Sequence, residues 1–121
     1  MAVQGFGNVG SNLAEILSEK GFTVVAISNS RQAFFNENGI NIVEALKNPK
    51  EFPKLGDEIS NQKLLELPVD ILVPAALENQ ITSENADKIK AKIILEMANG
   101  PVTPEAEEIL NKMGAEIIPD I

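Results

Sequence analysis

A glycine-rich segment near the start of the chain constrains the fold more than any other feature. Gly5, Gly7 and Gly10 have the spacing G-x-G-x-x-G and stand directly before an amphipathic helical run. In this motif the first glycine permits a tight strand-to-helix turn, the second lets a pyrophosphate approach the backbone, and the third allows close packing of helix and strand. The N–H groups and the positive end of the helix then hold the phosphates. The motif therefore predicts a dinucleotide site.

Small-residue turns also produce this spacing by chance, so the sequence that follows it decides the interpretation. Apolar residues recur at helical intervals from residue 8 to residue 20, and Gly21 stands where such a helix would end. Residues 22–27 are almost continuously apolar and rich in β-branched side chains, as in a parallel strand buried on both faces. The first 27 residues therefore predict a strand, a helix and a second strand.

The rest of the chain continues this alternation. A small strand or hairpin is predicted at residues 33–35, and an irregular surface segment between Pro49 and Gly56. Further strands are predicted at residues 69–73, 91–95 and 116–118, and helices at residues 42–46, 61–67, 83–90 and 104–112. The pattern predicts an α/β fold with an open, mostly parallel doubly wound sheet, Rossmann-like, as a single domain over residues 1–121. Because the first strand is very short, we expect a sheet truncated at both ends.

Composition excludes several classes of function. The chain has 18 acidic and 10 basic residues, a net charge of −8, and its basic residues are scattered, which argues against nucleic acid or an anionic membrane as a partner. The sequence contains no cysteine and no histidine, so thiolate chemistry, a histidine base and a histidine-ligated metal are excluded. No apolar stretch approaches the ~20 residues of a membrane span, and no secretory signal is visible. We expect a cytoplasmic protein.

The loop after the second strand bears on the choice of cofactor. Asn29 stands about 20 residues beyond the glycine motif, where an acidic residue usually binds a ribose 2′-hydroxyl. Asparagine can bond that hydroxyl without repelling a 2′-phosphate, and Arg31 could supply charge to such a phosphate. Both NAD and NADP therefore stay open as cofactors. The alternative is that Asn29 and its neighbours only form a polar turn.

Two later loops should meet the same crevice, because ligands of doubly wound sheets lie beyond the carboxyl ends of the strands. Ala75 and Ala76 follow the third parallel strand and leave room for a ribose or a nicotinamide. Asn99 follows the next strand and offers an amide at the rim. Asn79 is better explained by its own turn.

Candidates for acid–base catalysis are weak. Glu78 and Glu96 lie near strand ends, but each is more simply explained as a structural hydrogen-bond acceptor. The same explanation applies to Asp70 and Asp120. The sequence offers no cluster of metal ligands and no G-x-S-x-G turn that would carry a nucleophilic serine. We therefore expect no catalytic residue and no metal site in this chain.

Several strings, taken together and in order, resemble the coenzyme domain of glutamate dehydrogenases, within the glutamate, leucine, phenylalanine and valine dehydrogenase family. They are Val-Gln-Gly-Phe-Gly-Asn-Val-Gly at 3–10, Val-Asp-Ile-Leu-Val-Pro-Ala-Ala-Leu-Glu-Asn-Gln-Ile-Thr at 69–82, Ala-Asn-Gly-Pro at 98–101, Thr-Pro-Glu-Ala at 103–106 and Ile-Pro-Asp-Ile at 118–121. Two positions depart from the family pattern: Asn29 replaces a common aspartate, and Met97 replaces a common glycine. The resemblance covers the whole chain and favours glutamate over branched-chain or aromatic amino acids.

The resemblance implies the reversible oxidative deamination of L-glutamate to 2-oxoglutarate and ammonia, with hydride transfer to NAD or NADP. By the family pattern, the cofactor contacts are Phe6, Gly7, Asn8 and Val9 at the pyrophosphate, Asn29 and Ser30 at the adenosine ribose, and Ala75, Ala76 and Asn99 on the nicotinamide side. The family's amino-acid-binding domain, with its catalytic lysine and aspartate, precedes this segment, and further chain follows it. We therefore expect the isolated chain to bind a dinucleotide without turning over an amino-acid substrate.

Other interpretations stay open at this point. The chain could be a non-catalytic dinucleotide-binding sensor, part of a dehydrogenase for leucine, phenylalanine or valine, or a plain structural α/β domain. Truncated sheet edges expose unpaired backbone, so the sequence also predicts self-association into a homo-oligomer.

Overall fold

The computed structural model describes residues 1–119 and places seven short strands in one sheet. The strands are β1 (Ala2–Gln4), β2 (Ala26–Ser28), β3 (Ala33–Phe35), β4 (Asp57–Ile59), β5 (Ile71–Pro74), β6 (Ile93–Leu95) and β7 (Glu116–Ile118). Their order in the sheet is β4-β3-β2-β1-β5-β6-β7, with β3 antiparallel to both of its neighbours and every other pair parallel. The predicted fold class, an open and mostly parallel α/β sheet, is confirmed. The Asp120 and Ile121 positions of the Ile-Pro-Asp-Ile string lie outside the described residues.

Within residues 1–119, four α-helices lie between the strands. They are α1 (Asn8–Glu19), α2 (Ile42–Lys47), α3 (Asn61–Leu65) and α4 (Pro104–Lys112). Side-chain oxygens cap the last three of them, since Asn41, Ser60 and Thr103 each accept a hydrogen bond from a backbone N–H in the first turn of the helix that follows. Each of these helices starts where the sequence predicts a start.

The predicted helix at residues 83–90 was wrong. The chain forms turns there and a single 3-10 turn at Ala86–Lys88. The Asn85 side chain explains the difference, because its Oδ1 accepts from the Thr82 N–H at 2.8 Å and its Nδ2 donates to the Gln80 carbonyl at 3.0 Å. Such bonds from an asparagine side chain to nearby backbone compete with the helical pattern.

β4 was not predicted from the sequence; it begins directly after the segment between Pro49 and Gly56 that was predicted to be irregular. Its residues pair antiparallel with β3, in the register Ala33 to Ile59 and Phe35 to Asp57. Gly56 allows the close approach, because a Cβ at that position would lie 2.3 Å from the Phe35 carbonyl oxygen. Asp57 is exposed on this edge strand, where charge discourages pairing with another sheet. β4 is therefore a strand because it pairs with β3, and its own residues do not show the apolar pattern of a strand.

The sheet is covered on both faces. Val3 of β1 packs in one core cluster with Ala14 of α1 and the buried residues of α2. The preceding residue, Ala2, packs in the other cluster with Leu64 of α3 and Leu110 of α4. Because successive side chains of a strand point to opposite faces, strands covered on both faces are apolar at nearly every position. This doubly wound arrangement explains the continuous apolar runs in the sequence.

The connections leave a crevice next to β1. From β1 the chain runs outward through β2, β3 and β4 on one side, and it then returns to pair β5 with the opposite edge of β1. Neighbouring parallel strands whose connections diverge in this way leave an opening beyond their carboxyl ends. The loops after β1, β2 and β5 meet at this opening.

Candidate functional site

The turn after β1 is packed tightly against the loop after β5. Gly5 is buried and has φ +95°, a conformation that side chains rarely tolerate, and a Cβ added there would lie 2.8 Å from the Cβ of Ala76. The Gly5 N–H donates to the Ser28 Oγ at 3.0 Å, and this buried bond joins the turn to the end of β2. The first glycine of the motif therefore holds three strand ends together.

Gly10 and Gly7 have opposite surroundings. A Cβ at Gly10 would lie 2.0 Å from the Gly5 carbonyl oxygen, so α1 packs against the turn at a distance that only glycine permits. Gly7 is exposed, and a Cβ added there would meet no protein atom within 4 Å. Its φ of −78° is an ordinary value for any residue. Nothing in the fold itself therefore requires glycine at position 7, and what the glycine provides is free space above the backbone.

Gly7 also begins α1. Within the described residues no side chain caps this helix, and its first turn contains no acidic residue. The first N–H groups of a helix lack intrahelical partners, and they carry the positive end of the helix dipole. The start of α1 is thus an uncapped, solvent-facing set of donors that suits an anion such as a pyrophosphate.

A cavity of about 500 Å³ lies beside this turn, in the size range of sites for small molecules and cofactors. Its walls include residues 5–7, residues 29–30 and residues 75–76, so seven of the predicted site positions meet there. Asn8 and Val9 are exposed on the first turn of α1, and Gly10 is buried behind it. Asn99 is exposed on the loop after β6, and this cavity does not include it. The assignment of all these residues to a cofactor stays a prediction.

The Asn29 side chain joins two loops. Its Oδ1 accepts from the backbone N–H groups of Arg31 at 2.9 Å and Gln32 at 2.7 Å, and its Nδ2 donates to the Pro49 carbonyl at 3.0 Å. Both polar atoms are therefore bonded to backbone, as the polar-turn interpretation requires. Ser30, the next residue, is exposed and lines the cavity.

Sequence reasoning missed a group of amides in the cavity wall. Gln4 is 2% exposed, and its Nε2 donates to the Asn61 Oδ1 at 2.9 Å and to the Gln80 Oε1 at 2.6 Å. Its own Oε1 is buried and has no hydrogen-bond partner within residues 1–119. The sequence did contain a signal for this group, namely a glutamine at the end of an apolar strand. Such a glutamine needs hydrogen-bond partners when it is buried. Its partners come from α3 and from the loop after β5.

Lys50 was also missed. Of the described residues that line the cavity, it is the only charged one. Arg31, the cation suggested by the sequence, is exposed and is not in the wall of the cavity.

The family model described as Glutamate/Leucine/Phenylalanine/Valine dehydrogenase matches residues 1–121. The chain belongs to this dehydrogenase family. It is 51% identical to the glutamate dehydrogenase of Thermotoga maritima and 52% identical to that of Aeropyrum pernix, in each case over 100% of this chain and 30% of the relative. It is also 44% identical to an NADP-specific glutamate dehydrogenase of Synechocystis and 46% identical to an NAD-specific one of Staphylococcus aureus. The chain therefore spans about 30% of the length of these curated relatives.

Solved structures of glutamate dehydrogenases share this fold. The hetero-hexameric enzyme from Thermus thermophilus superposes with a TM-score of 0.90 at 30% identity, over 98% of this chain and 29% of that one. The enzyme from Peptoniphilus asaccharolyticus gives 0.78 at 40% identity, over 98% and 28%.

Two kinds of feature are absent from residues 1–119. Among residues 1–119 no helix is both long and apolar enough to cross a membrane. In the same part of the chain no three acidic, cysteine or histidine side chains are grouped so as to hold a metal ion.

Proposed function

We propose that this chain is the dinucleotide-binding part of a glutamate dehydrogenase that uses NAD or NADP. One observation carries the proposal: the backbone at Gly7 begins an uncapped helix and has no protein atom within 4 Å of a Cβ placed there. The start of α1 opens beside a cavity whose described wall contains no carboxylate, so a pyrophosphate would meet backbone donors without acidic repulsion.

The proposed reaction is the reversible oxidative deamination of L-glutamate to 2-oxoglutarate and ammonia. When bound, the nicotinamide would accept the hydride that leaves the α-carbon of glutamate. The residues of this chain would bind and orient the cofactor, with the start of α1 at the phosphates and with Ala75 and Ala76 beside the nicotinamide half. Fixing two reactants in the correct geometry supplies much of the rate enhancement of such reactions. The catalytic groups are expected in the part of the relatives that this chain does not span.

The proposal of glutamate as substrate rests on the curated relatives, because all four at 44–52% identity are named glutamate dehydrogenases. They include one NAD-specific and one NADP-specific enzyme, which supports a nicotinamide dinucleotide as the cofactor. One structural neighbour is described as hetero-hexameric, and we propose that the complete protein also assembles into an oligomer.

Calorimetric titration of the chain with NAD and with NADP tests the site. Gly7→Val would place a side chain in the free space above the backbone, and we expect it to abolish binding of both ligands. Asn12→Val adds the same side chain to an exposed position of α1 outside the cavity, and we expect it to bind like the wild type. Circular dichroism would verify that all three proteins are folded. Equal binding by wild type and Gly7→Val, or no binding by the folded wild type, would contradict the proposal.

A second experiment separates a dehydrogenase from a non-catalytic sensor. The chain is fused behind the amino-acid-binding part of the Thermotoga maritima relative, and reduced cofactor is followed at 340 nm with L-glutamate as substrate. Turnover that depends on Gly7 would support the dehydrogenase. A fusion that binds the dinucleotide but shows no turnover with glutamate, leucine, phenylalanine or valine would favour a sensor.

A further inference from the structure

Gln4 contacts both ends of the loop that follows β5. Its backbone carbonyl accepts the Ala75 N–H at 2.8 Å, and its side-chain Nε2 donates to the Gln80 Oε1 at 2.6 Å. The same Nε2 donates to the Asn61 Oδ1 at 2.9 Å, at the start of α3. One buried residue of the central strand therefore ties residues 75–80 to the sheet and to α3.

Hydrogen bonds, and not burial, hold most of this loop. Residues 76–79 are exposed, and the large apolar side chain among them, Leu77, is 67% exposed. Apolar packing therefore contributes little to the position of the loop. Gln80 extends the hold of Gln4 toward the tip, because the Gln80 Nε2 donates to the Glu78 carbonyl at 3.3 Å. The Gln4 amide thus acts on the exposed part of the loop through Gln80.

The loop that follows β6 is joined to the same loop. The Asn79 N–H donates to the Gly100 carbonyl at 2.8 Å, and the Ile81 N–H donates to the Pro101 carbonyl at 2.8 Å. Asn79 has φ +55°, a left-handed conformation that is uncommon for residues other than glycine. The loops after β5 and β6 therefore form one hydrogen-bonded unit, and Asn99 belongs to it.

Stability alone does not explain a glutamine at position 4. Its Oε1 is buried and has no hydrogen-bond partner within residues 1–119. A buried acceptor that is left unpaired destabilises a fold, because its bond to water is lost without replacement. Methionine has a similar length and no such acceptor. The advantage of glutamine is therefore expected in what its amide holds in place.

We propose that Gln4 is a positioning residue for the nicotinamide half of the dinucleotide, and that it acts through Gln80 on the joined loops after β5 and β6. This inference rests on the proposed function, because it assigns a role within the same site. Within the described residues, both bonds of the Gln4 side chain go to α3 and to the loop after β5. Neither bond goes to α1 or to the loop after β2, so the phosphate and adenosine parts of the site should not depend on the Gln4 amide.

The test is calorimetric titration of the full chain with NAD and with ADP, which contains the adenosine and both phosphates but lacks the nicotinamide and its ribose. Gln4→Met removes the amide and keeps the length of the side chain. It is expected to weaken binding of NAD about three- to tenfold, the effect of losing a neutral hydrogen bond, and to leave ADP within about twofold. Its Tm should stay within about 5 °C of the wild type, because the unpaired acceptor is removed together with the donor.

Two further variants separate this role from a general effect of substitution. Gln80→Met removes the same bond from a partly buried position outside the central strand. It should cause the same selective loss, and the double variant should lose no more than either single variant. Gln62→Met is the matched control, because Gln62 is an exposed glutamine of α3 outside the cavity whose side chain bonds to Glu66 and Asn85. We expect it to leave both affinities unchanged.

The fluorescence of NADH gives a readout that a loss of stability would not change. It reports on the surroundings of the reduced nicotinamide ring, and the chain has no tryptophan or tyrosine to interfere. At saturating NADH, the fluorescence enhancement is expected to be smaller in Gln4→Met and Gln80→Met than in the wild type. Gln62→Met should show the wild-type spectrum.

Three results would overturn the inference and leave the proposed function in place, because the wild type still binds NAD in each. They are an equal change of NAD and ADP affinity in Gln4→Met, an unchanged NAD affinity in that variant, and an equal selective loss in Gln62→Met. If Gln4→Met does not fold, Gln80→Met decides by the same criteria. A folded wild type that binds neither ligand overturns both proposals.

Discussion

Replacement of Gly10 by alanine tests whether α1 and the turn after β1 are as close as the structure places them. The added Cβ would lie 2.0 Å from the Gly5 carbonyl oxygen and 3.0 Å from its carbon, both of which are backbone atoms. Carbon and oxygen atoms in contact are about 3.3 Å apart, so helix and turn would have to separate by roughly 1.3 Å. Because the atoms belong to the backbone, no side-chain rotation can relieve the contact.

The free energy of unfolding should fall by a large amount. Exchanging glycine for alanine inside a helix normally stabilises by roughly 0.5–1 kcal/mol. Overpacking of a well-packed region usually costs about 1–3 kcal/mol, and more when the backbone must move. Because the contact here is with backbone, we expect a cost at or slightly above the top of that range, and therefore a net loss of about 2–3 kcal/mol. For a chain of 121 residues, this corresponds to a decrease in Tm of roughly 10 °C.

Urea unfolding followed by far-UV circular dichroism measures this loss, since the chain has no tryptophan or tyrosine to serve as a fluorescent probe. Gly7→Ala is the matched control, because it makes the same change three residues earlier where a Cβ meets nothing within 4 Å. It should change stability by less than about 1 kcal/mol. A Gly10→Ala protein within about 0.5 kcal/mol of the wild type, or equal losses in both variants, would refute the close packing.

Two further variants, measured with the same unfolding assay, test one hydrogen bond at the glycine turn and one at the start of α4. Ser28→Ala removes the acceptor of the buried Gly5 N–H and should destabilise by about 1–3 kcal/mol, whereas an unchanged urea midpoint would contradict the importance of that bond. Thr103→Ala removes the oxygen that accepts the Ala106 N–H at the start of α4 and should destabilise by about 1 kcal/mol. Thr103→Ser keeps that oxygen and should retain most of the stability. If Thr103→Ser lost as much stability as Thr103→Ala, the capping hydrogen bond would not be responsible for the loss.

Elements with strong local signals could be predicted from the sequence. α4 begins after Thr103 with Pro104 in its first turn, and both residues favour a helix start in any surroundings. The strands of the central sheet were also evident, because burial on both faces favours nearly continuous apolar runs. Their ends were less certain: β2 begins at Ala26 and not at Phe22.

Elements that particular hydrogen bonds decide, and not apolar periodicity, could not be predicted in this way. β4 is a strand because β3 lies beside it, although two of its three residues are acidic. At residues 83–90 the helical pattern is overridden by the side chain of Asn85, which bonds the backbone of Gln80 and Thr82. The β3–β4 pairing joins residues more than 20 positions apart in the sequence. The Asn85 bonds are local, since they span three and five residues, but apolar periodicity does not reveal them.

The sequence by itself determined the fold class and the position of the glycine turn along the chain. Glycine spacing and the apolar runs of buried strands can both be read from neighbouring residues. It also predicted that Asn29 and Ser30 lie beside that turn. The tertiary structure alone decided what surrounds them: Gln4 in contact with Asn61 and Gln80 across more than 50 residues, and Lys50 in place of Arg31 as the cation in the cavity wall. These contacts join loops that follow different elements, and only the packed sheet brings those loops to one edge.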